Sequence, residues 1–150
     1  MIDPVPMIEH WLARAGLSAG PEPTAAQARD LDLAFAVARR LGSYDIGQTV
    51  AVRDGMVAAV EALEGTDAAL RRAAALVGAG LVVAKAAKPG QDLRFDRPAI
   101  GPATVELLAE LKAAMIGVEA GVALMLEPDR TLELARAKNV TIYGYAETNG

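Results

Sequence analysis

Leu81-Val82-Val83-Ala84 and the segment leaving it, Lys85-Ala86-Ala87-Lys88-Pro89-Gly90-Gln91-Asp92-Leu93-Arg94-Phe95-Asp96-Arg97-Pro98-Ala99-Ile100-Gly101, decide how this chain is read. The apolar run reads as a buried strand. Its continuation is polar and rich in turn formers: Lys85, Lys88, Arg94 and Arg97 supply cations, Asp92 and Asp96 carboxylates, and Pro89, Gly90, Pro98 and Gly101 breaks. Open α/β sheets place ligands on such loops, beyond the ends of their strands. Lys and Arg neutralise phosphate oxygens, while Asp holds Mg²⁺ or orients water. The same residues also fit a solvated loop with a local ion pair.

Outward from this strand, helical and extended patterns alternate. Met7, Ile8, Trp11 and Leu12 share one face of a short helix predicted over Pro6 to Ala15, and Gly16 to Pro23 reads as a linker. Thr24 and Gln27 form a capping box that opens a second helix, lined by Leu31, Leu33, Phe35, Val37 and Leu41 and ended by Gly42. Thr49 to Arg53 and Met56 to Val60 flank Asp54-Gly55, the pair favoured in a type I′ hairpin. Thr66 is the expected cap of a helix over Ala68 to Val77. Another helix is expected over Thr104 to Ala113, with Pro102 near its start. Met115 to Glu119 and Val122 to Leu126 read as short strands, Asp129 as the cap of a last helix through Ala137, and Val140 to Tyr145 as a final strand. The sum is a single α/β domain: a mixed sheet with a β-hairpin and short helices packed on it. The expected division is an amino-terminal helix and linker at 1–23 and the domain proper at 24–150.

Composition narrows the function. Of 150 residues, 53% are hydrophobic but only 4% aromatic, so the core must be built from Ala, Val, Leu and Ile. A net charge of −4 argues against a nucleic-acid binder, which needs a basic surface. With no cysteine, disulfides, thiolate zinc sites and Cys nucleophiles are excluded. One histidine, His10, excludes metal sites built from several histidines; with Trp11 it is expected to pack or sit exposed on the first helix. Oxygen ligands would favour Mg²⁺ or Mn²⁺. Asp3, Pro4, Pro6 and Glu9 do not make a signal peptide, and the apolar runs Ala73 to Ala84 and Ala113 to Leu126 are broken by glycine or Glu119. The expectation is a soluble intracellular protein able to meet a membrane surface.

Four polar clusters fall at element junctions: Asp45 to Gln48, Glu61 to Asp67, the long loop, and Gly117 to Gly121. Glu64-Gly65-Thr66-Asp67 marks a strand-to-helix turn, either an anion site at a helix start or an ordinary capped helix. It is not a Walker loop, because the glycine spacing and the following Lys are missing. Asp92 and Asp96 together with Glu64 suit one Mg²⁺, with Lys85, Lys88 and Arg94 on phosphates; alternatively Asp92 and Asp96 pair with Arg94 and Arg97. Glu119 interrupts an apolar strand, so it is paired, exposed at an edge, or functional.

In this order and spacing, Leu41 to Gln48, Val60 to Ala68, Lys88 to Thr104 and Gly117 to Gly121 resemble the carboxy-terminal domain of LpxI-type UDP-2,3-diacylglucosamine pyrophosphatases, over about residues 24 to 144. The resemblance implies hydrolysis of UDP-2,3-diacylglucosamine to UMP and 2,3-diacylglucosamine 1-phosphate (lipid X), in lipid A synthesis at the cytoplasmic face of the Gram-negative inner membrane. It implies dependence on a divalent cation, usually Mg²⁺, and an essential aspartate at Asp92. Gln48, Thr66, Lys85, Lys88, Gln91, Arg94 and Thr104 are then the expected substrate-binding residues, and Asp92, Asp96 and Glu64 the expected metal ligands. Members carry a Rossmann-like domain ahead of this one, with substrate between the two, and Met1 to Pro23 resembles the end of that first domain.

Three functions follow: a pyrophosphatase domain; a non-catalytic module that binds nucleotide-sugar phosphates or pairs with a separate amino-terminal protein; and a structural α/β domain with a solvated polar loop. High apolar content also makes a homodimer an expectation.

Overall fold

Asp54 and Gly55 both take positive φ, as a type I′ turn requires, and they fold β2 (Thr49–Arg53) onto β3 (Met56–Val60). The computed structural model describes residues 11–88 and 97–146. In chain order the other elements are β1 (Gly16–Ala19), α1 (Ala25–Ser43), α2 (Thr66–Val77), β4 (Val82–Lys85), β5 (Ala99–Ile100), α3 (Pro102–Glu110), β6 (Met115–Glu119), β7 (Leu124–Met125), α4 (Pro128–Lys138) and β8 (Thr141–Tyr145). Six strands form one sheet in the order β1-β8-β6-β4-β2-β3, while β5 and β7 pair separately, in parallel. The centre β4-β6-β8 is parallel; the hairpin adds antiparallel to β4, and β1 adds antiparallel to β8. This is the mixed α/β sheet that the alternating pattern predicts.

The two-residue period of the strands sorts the core into two layers. Val50, Val52, Val82 and Ala84 face α1, against Leu31, Ala34, Phe35 and Ala38. Ala51, Leu81, Val83, Ile116 and Ile142 face the other way and meet Leu70, Ala73, Val105, Leu108 and Ala135 of the remaining helices. With few aromatics, packing relies on close approach. A Cβ on Gly117 would lie 2.5 Å from Leu31 Cδ1 and 3.0 Å from Phe35 Cε2, so glycine lets α1 settle on β6. Phe35 is fully buried and stacks on Tyr145, centroids 4.1 Å apart and planes 7° from parallel. Arg39 lies over both rings. Buried Asp30 accepts from the Gly55 N–H at 2.9 Å, fastening the hairpin tip to α1.

The capping box at Thr24 forms as expected, with Thr24 Oγ1 accepting from Gln27 N–H and Gln27 Oε1 from Thr24 N–H. Several local expectations are corrected. Residues 11–15 are not an α-helix: Leu12 bridges to Leu124, and Ala13 N–H donates to Ala123 O. The rest of the expected first helix, with His10, lies outside the described residues. The expected linker contains β1, because its backbone groups find partners along β8. Thr66 is the first residue of α2 rather than its cap; Gly65 holds that place, with no side-chain cap. α3 begins at Pro102, which pre-sets a helical φ, and ends at Glu110. Val122 to Leu126 shortens to Leu124–Met125 and joins β5 instead of the main sheet. Asp129 lies inside α4, where Glu127 precedes Pro128 in left-handed conformation. Among the described residues, no helix is long and apolar enough to cross a membrane.

Phe35→Ala should lower the unfolding free energy by about 3–5 kcal/mol, and Thr24→Ala by about 1 kcal/mol. Equilibrium urea unfolding followed by circular dichroism measures both, and equal effects would contradict the packing assigned to Phe35.

Candidate active site

β4 brings Lys85 to the carboxyl end of the sheet, and the antiparallel register sets Thr49 of β2 opposite it. On either side the backbone is tied: Ala86 N–H donates to Gln48 O at 2.9 Å, and Glu61 N–H donates to Thr49 O at 2.9 Å. Glu61 then folds its side chain back. Its Oε1 accepts from Gln48 N–H at 2.8 Å, and its Oε2 accepts from the Thr66 hydroxyl at 2.7 Å. Thr66 Oγ1 also lies 3.3 Å from Thr49 Oγ1. Gly47 makes this fold possible, because a Cβ there would collide with the Glu61 carbonyl. The carboxylate is thus the junction of strand β2, the end of β3 and the start of α2.

Across from it, the N–H of Gly101 donates to Thr104 Oγ1 at 3.1 Å, at the start of α3. Between these walls lies a cleft of about 130 Å³ whose lining includes Thr49, Thr66, Asp67, Lys85, Thr104 and Leu107. Lys85 Nζ donates to Ala99 O at 3.1 Å. Burial lowers the Lys85 pKa, while the charges of Glu61 and Asp67 oppose that shift. A cation, the Thr104 hydroxyl and two helix starts at the rim suit a phosphate group, while Asp67 adds an exposed carboxylate to the lining and the Thr66 proton is given to Glu61. A larger groove of about 430 Å³ lies beside α1, between Leu31, Met115, Tyr143 and Tyr145. Among the described residues its lining carries Glu22 and Asp32 but no cation, whereas the smaller cleft sets Lys85 beside Asp67 and is the better anion site.

Of the expected site residues, the fold brings Thr66, Lys85 and Thr104 together around this cleft. Gln48 is at its edge through its backbone. Lys88 stands apart, 2.8 Å from exposed Asp45, whose carboxyl it holds below the usual range by hydrogen bonding and charge. Glu64 pairs with Arg72 at 2.7 Å, and that hydrogen bond holds its pKa down. Gln91, Asp92, Arg94 and Asp96 lie outside the described residues. Among the described residues, no three Asp, Glu or His side chains gather as a metal cluster.

Glu119 is the paired alternative. β6 is interior to the sheet, between β8 and β4, so an edge position does not explain this charge. Its Oε1 accepts from Ala87 N–H at 2.6 Å. The same turn holds the chain again beyond the polar segment: Arg97 Nη1 donates to Val122 O at 2.8 Å, and Leu124 N–H to Pro98 O at 2.9 Å. Residues 119–124 therefore clamp the chain both before and after the segment that carries Asp92. Sequence reasoning missed Glu61 and Thr49 as site residues. The hairpin register was the available signal, since it sets Thr49 beside the end of β3.

Comparison with known proteins gives a consistent picture. A family model described as the LpxI C-terminal domain matches residues 14–143. A curated protein of Caulobacter vibrioides, UDP-2,3-diacylglucosamine pyrophosphatase LpxI, is 44% identical over 122 residues, covering 76% of this chain and 43% of that protein. The chain thus spans less than half the length of the curated relative it matches.

Glu119→Ala should remove the charged acceptor of the Ala87 amide and cost about 1.5–3 kcal/mol of stability. Hydrogen exchange should quicken at Ala87 ahead of the other strand amides; protection there equal to wild type would show that the carboxylate is not its partner.

Proposed function

The chain belongs to the LpxI family as a carboxy-terminal domain, and from that premise we propose that it carries the hydrolytic half of a UDP-2,3-diacylglucosamine pyrophosphatase. The reaction adds water across the pyrophosphate of UDP-2,3-diacylglucosamine, giving UMP and 2,3-diacylglucosamine 1-phosphate (lipid X). The observation that carries the reading is the Lys85 cleft, which brings Thr66 of the Glu61-to-Asp67 cluster, Lys85 at the head of the long loop and Thr104 just beyond it together at one end of the sheet. Lys85 neutralises a phosphate oxygen and the Thr104 hydroxyl donates to it, while Thr66, whose proton goes to Glu61 in the free protein, joins them by turning that proton to the phosphate. Asp92 orients the attacking water or accepts its proton. Gln91 and Arg94, from the same segment, and Lys88 complete the proposed substrate contacts.

We further propose Mg²⁺ (or Mn²⁺) as cofactor. The chain offers hard oxygen donors and no thiolate, which suits these ions. Asp92 and Asp96 would hold the ion; Glu64, engaged by Arg72, fits that role less well than its place in the sequence suggests. A bound divalent cation would supply Lewis-acid polarisation of the pyrophosphate. Because the substrate is a glycolipid nucleotide, the proposed place of action is the cytoplasmic face of the inner membrane, with the protein peripheral to it. The share of the relative left uncovered leads us to propose a separate amino-terminal domain, or a second copy of this chain, as partner in completing the acyl-chain site.

The alternative, a nucleotide-sugar-binding module without turnover, is favoured by the same partial coverage. One experiment separates them. The purified chain is incubated with UDP-2,3-diacylglucosamine and Mg²⁺, and UMP is measured with EDTA and Asp92→Ala as controls. Release that both controls abolish is the expected result, and Lys85→Met should lower turnover by about 10²–10³, the scale of one lost charge-stabilising donor. Saturable binding of substrate with no UMP release, even with the amino-terminal domain added, would leave only the binding module.

A further inference from the structure

Turns favour Gly, Pro, Asn, Asp and Ser, yet two turns of this chain carry large apolar side chains. Tyr44 is 77% exposed and Ile46 43%, in the turn between α1 and β2, and Leu63, in the turn between β3 and α2, is fully exposed. A lone exposed apolar residue is ordinary, whereas three on adjoining turns make a patch. The turns adjoin because Gln48 N–H donates to Glu61 Oε1 and the Gly47 backbone packs against the Glu61 carbonyl. Each turn is also fixed by its own contacts. Ile46 N–H donates to Leu41 O, Asp45 takes a left-handed conformation, and the Thr66 hydroxyl donates to Glu61 Oε2. Backbone geometry therefore keeps these apolar side chains in solvent.

β2 runs antiparallel to β4, and β3 antiparallel to β2, so both turns lie at the carboxyl end of β4, where Lys85 and its cleft are found. Leu63 is three residues from Thr66 of the cleft lining, and Gln48, two residues beyond Ile46, holds Ala86 beside Lys85. The carboxylates within these turns are all engaged. Lys88 pairs with Asp45 at 2.8 Å, Arg72 pairs with Glu64 at 2.7 Å, and Glu61 accepts from the Gln48 amide and the Thr66 hydroxyl. Exposed Arg40 adds a cation in the last turn of α1. We infer that Tyr44, Ile46 and Leu63 form a membrane-seating surface, which enters the headgroup boundary of a lipid bilayer and sets the mouth of the Lys85 cleft against it. A phosphate cleft that serves a diacylated nucleotide must open where the acyl chains are anchored. Aromatic and aliphatic tips, with neighbouring carboxylates neutralised and a cation beside them, suit an anionic lipid surface. The inference rests on the proposed function for the substrate presented there, and it names the surface that a peripheral location requires.

The test uses the whole chain and vesicles of phosphatidylethanolamine and phosphatidylglycerol that contain no substrate. In flotation, Leu63→Ser should lower the vesicle partition coefficient about tenfold, the order expected for one leucine withdrawn from an apolar phase. Adding Ile46→Ser and Tyr44→Ser should lower it further. Met56 and Leu76 are also exposed but lie at the opposite end of the sheet, beside Arg53, whose side chain reaches Ala79 O ahead of β4. Met56→Ser with Leu76→Ser should therefore leave partition unchanged, which separates position from hydrophobicity. The chain has no cysteine, so Leu63→Cys and Met56→Cys each accept a single environment-sensitive fluorophore. Emission should shift to the blue on vesicle addition at position 63 and stay unchanged at 56. Every substitution is at an exposed position, and circular dichroism matching wild type shows that the variants fold. No partition of the wild-type chain, equal partition of wild type and Leu63→Ser, or equal emission changes at 63 and 56 would overturn the inference. So would Leu63→Ser weakening self-association in sedimentation equilibrium while vesicle binding is unchanged, which would assign the patch to a protein contact. Failure of UMP release with vesicle docking intact would sink the pyrophosphatase reading alone, and turnover without docking would sink this inference alone.

Discussion

Burial of β4 on both faces is the constraint from which the rest of the domain follows. Val82 and Ala84 pack under α1, Val83 and the preceding Leu81 pack beneath the opposite helices, and all four are essentially inaccessible to solvent. A strand so enclosed must have its hydrogen-bonding groups met along both edges, and β2 and β6 meet them. Once that is satisfied, its last residue has nowhere apolar left to go. Lys85 emerges at the carboxyl end of the sheet with its stem inside and its ammonium at the cleft. The chemistry of this domain is therefore placed by packing: the same burial that makes β4 the core strand delivers a desolvated cation to a fixed point.

How far this was legible in the sequence depends on the range of the forces involved. The capping box at Thr24, the Asp54-Gly55 turn and the buried run at β4 are local, and each forms at its expected place. The mixed sheet followed from alternation of strands and helices. The missed features are those decided by distant partners. Gly16–Ala19 has no strand pattern of its own and becomes β1 because β8 offers an edge. Val122 to Leu126 reads as one strand but keeps only Leu124–Met125, paired with β5. Thr66 has the composition of a cap, yet its hydroxyl is claimed by Glu61, a competition that helix rules alone do not register. The site shows the same division. Thr66, Lys85 and Thr104 were visible as polar residues at junctions, whereas the contacts of Glu61 with Gln48 and Thr66 appear only when β2 and β3 are paired.

Glu119 illustrates how a misfit residue marks a structural task. A carboxylate in a central strand is costly without a partner, and here a backbone amide just beyond β4 donates to it. The β6–β7 turn thereby serves two strands and also holds the chain at Arg97 and Pro98. Precision at the ends of the polar segment is thus built into the sheet, which is the rigid part of the molecule and the best foundation for groups that must meet a substrate in register.

The pairing of β1 with β8 has a consequence for how the domain comes into being. Gly16 lies opposite Gly144, and the Thr141 hydroxyl is held by the carbonyl of Pro21, so the first described strand is completed by the last. During synthesis the hairpin and α1 leave the ribosome early, with local contacts to make. β1 must wait, unpaired, until almost the entire domain has been translated. Closure of that sheet edge then comes late, with the largest loop-closure cost among the described strand pairings. The nascent chain spends that interval with an open strand that chaperones, or a neighbouring nascent chain, can occupy.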